Sequence, residues 1–256
     1  MSIINKLFNI VYIISYKGST RLPYLEEHLN ELSINYKIIY GPKYDKVSLE
    51  NLLENNKLTY TFYNNHNNVY IQKIVANVLT HIKAWNDFIE SKYDKCMIIE
   101  DDNIFIKNYE KYIIESKLPT NYDYIAYGWE NYVFTQGGSK DERYNDHYDK
   151  LYWGRSGAHC YVISKKTARK LIEYAYPIYK APDGYIGDMC YVNKNYNEKT
   201  LKGCSIAPKE KRIHFAYISI KKIGFGISNL NSITDELDIN SDIKQIFKDN
   251  SVQMAI

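Results

Sequence analysis

Three consecutive carboxylates, Glu100, Asp101 and Asp102, follow an apolar run in the stretch CMIIEDDNIF (96–105). If that run is a strand, Glu100 and Asp102 share one side of the chain and Asp101 points away. Carboxylates this close repel one another unless a positive group joins them, and a hard divalent cation, Mg²⁺ or Mn²⁺, suits oxygen ligands of this kind. The alternative is a solvated strand end that caps the next element, which is the commoner meaning of an isolated acidic triplet.

The elements that would position these carboxylates alternate between strands and helices. Apolar, β-branched runs predict strands at residues 9–16, 35–42 and 95–100, and amphipathic patterns predict helices at 21–33 and 73–91. Such alternation implies an α/β sandwich around a mostly parallel central sheet, in which ligands bind at the carboxyl ends of the strands. The acidic triplet lies at such an end, so the sequence predicts a site there.

Length and composition indicate one globular domain. The chain has 256 residues, of which 45% are hydrophobic and 25% charged, and no Pro/Gly/Ser-rich linker interrupts the apolar pattern. We predict a single domain over residues 1–228, followed by a polar peripheral segment at 229–256. A net charge of +3 with scattered Lys and Arg gives no reason to expect a nucleic-acid partner, and no run is long enough to predict a transmembrane segment.

The four cysteines stand far apart, at Cys96, Cys160, Cys190 and Cys204, with no C-x-x-C pair. Reduced thiols are therefore expected, which favours a cytoplasmic location. The abundance of Asn, Ile, Lys and Tyr, with 27 tyrosines, is typical of an AT-rich genome. No single tyrosine is therefore taken as a sugar-stacking platform, and a viral source would place the protein in the cytoplasm of a host cell.

Several segments, in order along the chain, resemble one known family. LTHIKAWNDFIESKYDKCMIIEDDNIFI (79–106) is similar to a Ser-His-x-x-x-Trp helix that leads into an apolar strand ending in Glu-Asp-Asp. VYIISYKGSTR (11–21) is similar to a first strand with an Arg-containing loop, and segments 122–129 and 157–189 are similar to later strands, a helix and a Pro-Asp motif. Together they resemble glycosyltransferase family 25, the lipopolysaccharide and collagen galactosyltransferase-like family.

The resemblance implies a GT-A type, Rossmann-like and inverting glycosyltransferase. The implied donor is a nucleotide-sugar, a UDP-sugar that carries galactose or a related hexose, and the implied acceptor is a glycan or glycoprotein. On this interpretation Asp102 ligates a Mn²⁺ or Mg²⁺ cofactor that bridges the two phosphates, while Glu100 and Asp101 contact the nucleotide. Arg21 in the first loop would meet the nucleotide or the diphosphate, and an exposed helix-start arginine is the alternative.

Transfer with inversion needs a base that takes the proton from the acceptor hydroxyl. The segment APDGYIGDM (181–189) offers two aspartates, which we predict to lie in a Gly-containing loop. Asp183 matches the family's aspartate after proline and is the preferred base, with Asp188 second. The alternative is structural, because Pro-Asp-Gly is also a strong turn signal.

Two histidines are further candidates. His81 lies on the apolar helix next to Trp85, where it either lines the donor site or is a satisfied core histidine. His214, in the strand-like segment KRIHFAYIS (211–219), either supplies a third metal ligand or is a half-buried strand residue.

Two other functions remain open at this stage. A metal-dependent phosphoesterase would use the same acidic strand end, but it needs ligands for a second metal, and no second cluster stands out. The second possible function is that of a family member that has lost catalysis and only binds glycans. Thr80, where the family usually has Ser, and Ser15-Tyr16, where it usually has Asn-Leu, leave that possibility open, whereas the intact acidic triplet and Asp183 oppose it.

Overall fold

The computed structural model describes residues 2–106, 108–128, 142–151, 157–190, 207–208, 211–219 and 223–226. The predicted peripheral segment 229–256 lies outside these ranges. The described helices are α1 Ile3–Phe8, α2 Leu22–Glu31, α3 Leu49–Glu54, α4 Tyr60–Asn64, α5 Asn68–Glu90, α6 Lys165–Glu173 and α7 Pro182–Cys190. The described strands are β1 Val11–Tyr16, β2 Tyr36–Gly41, β3 Lys95–Glu100, β4 Asn103–Phe105, β5 Tyr124–Gly128, β6 Glu142–Arg143, β7 Tyr148–Lys150, β8 Cys160–Ser164, β9 Ala216–Ser219 and β10 Gly224–Gly226.

The strands within the described ranges form one sheet of eight, in the order β2-β1-β3-β8-β5-β9-β7-β6, and a separate pair, β10-β4. β1 pairs in parallel with β2 and with β3, as expected for strands that helices connect. β8 runs antiparallel to both β3 and β5, while β5 and β9 are parallel. The predicted α/β class is confirmed, and the sheet is parallel in the half that carries the acidic triplet and mixed in the other half.

Helices cover both faces of the large sheet. Residues of α5, α6 and α7 pack on one face against Tyr12, Ile14 and Ile98, and residues of α1 and α2 pack on the other face against Ile13 and Ile99. Strand side chains alternate, so even-numbered residues of β1 and β3 face α5 and odd-numbered ones face α2. The result is a three-layer α/β/α sandwich. No helix in the described ranges is long and apolar enough to cross a membrane.

The long helix α5 packs along the sheet and passes the end of β3. It begins at Asn68, earlier than predicted, because the side chain of Asn67 caps it by accepting a hydrogen bond from the backbone N–H of Tyr70. Thr80 of this helix lies against the end of β2. A Cβ atom added at Gly41 would stand 1.7 Å from Oγ1 of Thr80, so the close approach of helix and strand requires glycine at this position.

The segment with Asp183 and Asp188 is helical, which corrects the prediction of a Gly-containing loop. α7 starts at Pro182, and proline suits the start of a helix because an N–H there has no partner within the helix. Tyr185 and Met189, which follow the turn signal, are buried in the core. Burial of these side chains outweighs the low helix propensity of the two glycines in α7, Gly184 and Gly187.

Candidate active site

The acidic triplet divides between the two faces of the sheet, as the alternation of strand side chains predicts. Glu100 ends β3 and faces α5, where it accepts a hydrogen bond from Asn77. Asp101 faces the side of α2. Asp102 lies beside Glu100, in one group with His159. Two of the three carboxylates therefore remain together at the carboxyl end of the strand.

Asp101 is a buried ion-pair partner. Its oxygens accept hydrogen bonds from Ser15 Oγ, at 2.6 Å, and from Arg21 Nη2, and the residue is 3% exposed. Burial raises the pKa of the Asp101 carboxyl, and the Arg21 charge opposes that shift. Ser15 and Arg21 thus occupy both oxygens of this carboxylate, and a contact of Asp101 with the nucleotide stays a prediction.

Arg21 brings a positive charge to the acidic strand end. One guanidinium nitrogen pairs with Asp101, and Nη1 lies 3.7 Å from Oδ2 of Asp102. Burial would lower the pKa of Arg21, but Asp102 and Asp101 together raise it above its ordinary value. Arg21 therefore balances part of the charge of the triplet, while its contact with a nucleotide stays a prediction.

Glu100 accepts hydrogen bonds on both carboxylate oxygens. Nδ2 of Asn77 donates to Oε1 at 2.9 Å, and Nε2 of His81 lies 3.5 Å from the same oxygen. Nδ1 of His159 lies 2.9 Å from Oε2. Burial by itself would raise the pKa of Glu100, but the hydrogen bonds from His159 and His81 hold it well below its ordinary value. Glu100 is therefore an ionised carboxylate at neutral pH.

Glu100, Asp102 and His159 each offer a ligand atom, and these atoms lie within 4.8 Å of one another. Oδ1 of Asp102 is buried and lacks a hydrogen-bond partner within the part of the chain that the structure describes. A buried carboxylate oxygen without a partner is unfavourable and is well satisfied by a cation. Two carboxylates and one imidazole are a donor set that suits Mn²⁺ and accommodates Mg²⁺. The residues present therefore fit a divalent cation.

His159 reaches the acidic strand end because β8 runs antiparallel to β3. Ile99 pairs with Cys160 in the ladder, and the backbone N–H of Glu100 donates to the carbonyl of His159 at 3.1 Å. The residue before β8 thus lies beside the last residue of β3. His159 is not among the predicted ligands. The available signal, a histidine directly before an apolar strand, identifies a ligand only once the strand pairing is known.

A cavity of about 290 Å³ opens beside the Glu100 carboxylate, near the lower end of the range for small-molecule sites. Its wall consists of Lys73, Ile74 and Asn77 from α5, Glu100 from β3, residues 157–159 before β8 and residues 181–183 at the start of α7. The structure therefore brings Asp183, the preferred base candidate, into the same cavity as two of the three side chains that fit a cation.

Backbone N–H groups orient the Asp183 carboxylate. Oδ2 accepts a hydrogen bond from Gly157 at 2.9 Å, and Oδ1 accepts one from Gly184 at 2.7 Å. Gly157 has a φ of 90°, which residues with a side chain rarely adopt, so glycine is required there. The turn before β8 and the start of α7 together fix the direction of this carboxylate.

Asp188, the second base candidate, is not in the lining of the cavity. It lies about 140° around the helix from Asp183, at 100° per residue. Its Oδ2 accepts hydrogen bonds from Lys180 Nζ at 2.7 Å and from Tyr179 OH at 3.1 Å. Its charge is thus paired outside the cavity lining, which favours Asp183 as the base, and a role of Asp188 as a base stays a prediction.

His81 is a satisfied core histidine. It is 0% exposed, its Nδ1 lies 2.7 Å from the hydroxyl of Tyr161, and its ring stacks on that tyrosine at a centroid distance of 5.7 Å. His81 is not in the lining of the cavity, and its place at the donor site stays a prediction. Its connection with the cavity runs through Glu100.

His214 lies at the opposite ends of the strands from the acidic triplet. It is exposed and precedes β9, whose Ala216 pairs in parallel with Tyr124 at the start of β5. The other end of β5, at Gly128, pairs with Cys160 next to the candidate cation group. These two ends of β5 are roughly 13 Å apart at about 3.3 Å per residue. The structure therefore does not bring His214 to Glu100, Asp102 and His159, and its role as a metal ligand stays a prediction.

Comparison with known proteins gives one family. The family model described as "Glycosyltransferase family 25 (LPS biosynthesis protein)" matches residues 8–186, a range that includes every side chain of the candidate site. No curated protein sequence matched the chain. Among solved structures, A197 from STIV is 19% identical, with 82% of this chain and 80% of that chain covered and a TM-score of 0.35. That structural similarity is too low to inform function.

Proposed function

Because the chain belongs to glycosyltransferase family 25, we propose that it moves galactose or a related hexose from a UDP-sugar to a hydroxyl group of a glycan or glycoprotein. The transfer is of the inverting, GT-A type and uses Mn²⁺ or Mg²⁺. The observation that carries this proposal is the grouping of Glu100, Asp102 and His159 beside a cavity whose wall also holds Asp183. A nucleotide-diphosphate donor needs a positive partner for its phosphates, and the acceptor needs a base.

Glu100, Asp102 and His159 would hold the cation. A bound Mn²⁺ or Mg²⁺ neutralises the charge that develops on the departing diphosphate. Arg21, close to Asp102, compensates part of the remaining negative charge. Lys73 adds a positive charge to the cavity wall, which favours an anionic ligand there.

Asp183 is the proposed base. The N–H groups of Gly157 and Gly184 fix its direction, so the carboxylate needs little reorganisation before it takes a proton.

A metal-dependent phosphoesterase fits the site less well. Enzymes that use two metals need a second set of ligands about 3.5–4 Å from the first ion. Within the described ranges, Glu100, Asp102 and His159 are the one group of at least three such side chains. Membership of glycosyltransferase family 25 favours transfer over glycan binding alone.

Calorimetric titration of UDP into the protein, with Mn²⁺ and then with a chelator, tests the proposal. We expect UDP to bind in the presence of Mn²⁺ and at least about tenfold more weakly with chelator, since removal of groups around a metal typically costs that much or more. Asp102→Ala removes the unpartnered carboxylate oxygen and should abolish the Mn²⁺-dependent part of binding.

Asp87→Ala is the matched control, because it removes a surface carboxylate that pairs with Lys37 far from the cavity lining. It should bind UDP as the wild type does. Equal UDP affinity with Mn²⁺ and with chelator would contradict the metal dependence. A folded wild type that binds none of UDP, GDP and CDP would contradict the nucleotide-sugar donor.

A further inference from the structure

A chain of hydrogen bonds connects the core to Glu100. Nε1 of Trp85 donates to the hydroxyl of Tyr161 at 3.0 Å, and that hydroxyl lies 2.7 Å from Nδ1 of His81. Nε2 of His81 lies 3.5 Å from Oε1 of Glu100. Trp85, Tyr161 and His81 are each 0% exposed, so every polar group in this chain depends on its protein partners.

Trp85, at the end of the chain farthest from Glu100, sets the direction of these hydrogen bonds. An indole N–H can only donate, so the Tyr161 oxygen must accept from Trp85. The Tyr161 O–H then donates to Nδ1 of His81, because that hydroxyl has no other partner within the described ranges. A nitrogen that accepts carries no proton. The proton of His81 therefore resides on Nε2 and points to Glu100, which as a carboxylate can only accept.

A proton on Nδ1 of His81 would disrupt this order. That Nδ1–H would donate to the Tyr161 oxygen, which already accepts from Trp85, and the hydroxyl proton of Tyr161 would then be buried without an acceptor. A buried donor without a partner is unfavourable. The tautomer with its proton on Nε2, which leaves every member of the chain with a partner, is therefore favoured over the tautomer with its proton on Nδ1.

We propose that Tyr161, held by Trp85, is a positioning residue for the cation site. It fixes the tautomer of His81 in which Nδ1 accepts and the proton lies on Nε2. His81 and Asn77 then both donate to Oε1 of Glu100. Oε1 is thereby anchored to α5.

The other oxygen of Glu100 is left for the candidate cation group. Oε2 lies 2.9 Å from Nδ1 of His159, which in turn lies 3.7 Å from Oδ1 of Asp102. The two oxygens of one carboxylate thus have separate tasks, anchoring and ligation. The anchoring follows from the hydrogen bonds alone, whereas its consequence for cation binding rests on the proposed function.

Nitrogen-15 NMR of the His81 side chain, in the protein without metal, reads the tautomer directly, and His81→Gln assigns the signal. We expect a proton on Nε2 and an unprotonated Nδ1 at neutral pH. Tyr161→Phe keeps the ring and removes the hydroxyl, so the His81 signal should move away from this tautomer. A proton on both nitrogens, or on Nδ1 alone, in the wild type would overturn the inference.

Mn²⁺ affinity, measured by calorimetry without nucleotide, tests the consequence. Tyr161→Phe should weaken Mn²⁺ binding about 10–100-fold, the effect typical of residues that orient metal ligands. The matched control is Tyr127→Phe, which removes a buried hydroxyl, paired with Tyr148 at 2.8 Å, on the opposite face of the sheet. The control should keep wild-type affinity. Equal losses in the two folded variants, or none in Tyr161→Phe, would overturn the inference.

Two replacements of His81 separate the effect of its hydrogen bonds on Mn²⁺ affinity from the effect of its packing. The amide of His81→Gln has an oxygen that accepts from Tyr161 and a nitrogen that donates to Glu100, whereas His81→Leu has neither. We expect the Gln variant to retain more Mn²⁺ affinity than the Leu variant, and equal affinities would count against the inference. If the wild type binds no Mn²⁺ at all, the proposed metal dependence fails, while the metal-free NMR result still decides the role of Tyr161.

Discussion

At the scale of single residues, the two aspartates of α7 show how surroundings separate a candidate base from a structural carboxylate. Replacing Asp183 by Asn removes the proposed base with little change in shape. We expect kcat to fall about 10²–10⁴-fold, the usual contribution of general acid–base catalysis, because no ionised carboxylate remains in the cavity wall to take the proton. Initial rates and calorimetry with Mn²⁺ and UDP check this, and donor affinity should be retained.

Asp188→Asn is the control on the same helix. Its carboxylate is paired with Lys180 outside the cavity lining, so the variant should keep wild-type kcat, although the lost ion pair can lower the melting temperature. Comparable losses of activity in Asp188→Asn and Asp183→Asn would argue against Asp183 as the base and for a general effect on α7.

The sequence identified part of the candidate site because strand alternation is a local property. It placed Glu100 and Asp102 on one side and Asp101 on the other, and the structure agrees. His159 was not predicted as a metal ligand, because its position beside Glu100 depends on an antiparallel pairing with a strand 59 residues away in sequence. Tyr161 carried no signal, as one of 27 tyrosines in the chain.

At the scale of elements, periodicity and turn signals located the first strands and helices. These local patterns did not give the order of strands in the sheet. The parallel arrangement of β1, β2 and β3 follows from helical connections between them. The insertion of antiparallel β8 between β3 and β5 depends on long-range packing. The parallel pairing of β9 with β5 puts His214 at the opposite ends of the strands from Glu100, which no local pattern could reveal.

The contact of α5 with β2 depends on glycine. Gly41→Ala would place a methyl group 1.7 Å from Oγ1 and 2.9 Å from Cγ2 of Thr80. We expect it to lower the free energy of unfolding by about 3 kcal/mol, at the upper end of the costs of overpacking. The side chain of Thr80 is short and β-branched, and its Cβ would lie 2.7 Å away, so it cannot move aside without moving α5. Denaturant unfolding followed by circular dichroism measures the loss.

A double-mutant cycle with Thr80→Ala tests the cause. Without Oγ1 and Cγ2, the Gly41→Ala change should cost at least about 1 kcal/mol less than in the wild type. Gly184→Ala is the control, because its added Cβ meets only the flexible side chain of Lys180 at 3.3 Å, and it should shift the free energy of unfolding by less than about 1 kcal/mol. Additive costs at positions 41 and 80 would show that steric overlap is not the cause.

At the scale of the whole molecule, the two cores on either side of the sheet protect the thiols. Cys96, Cys160 and Cys190 are free and buried, and burial raises the pKa of each thiol. We therefore expect a thiol reagent at pH 8 to modify at most one of the four cysteines in the native protein, since the thiolate is the reactive form. Cys204 lies outside the described residues.

Counting modified thiols by mass spectrometry, before and after unfolding in guanidinium chloride, checks this protection. All four cysteines should react in the unfolded chain. Rapid modification of two or more in the native protein would mean that the cores open easily, contrary to the packing on both faces of the sheet.

Glu100 and His159 are neighbours across two paired strands, so hydrogen-bonded backbone sets the distance between them. Most of the conformational entropy of these two groups is lost when the sheet folds, and little is left to lose when both engage one ion. Little loss of entropy then offsets the favourable energy of coordination. Departure of a product leaves the same arrangement in place, because the strands cannot separate without unfolding the sheet, and each catalytic cycle begins from an already ordered pair.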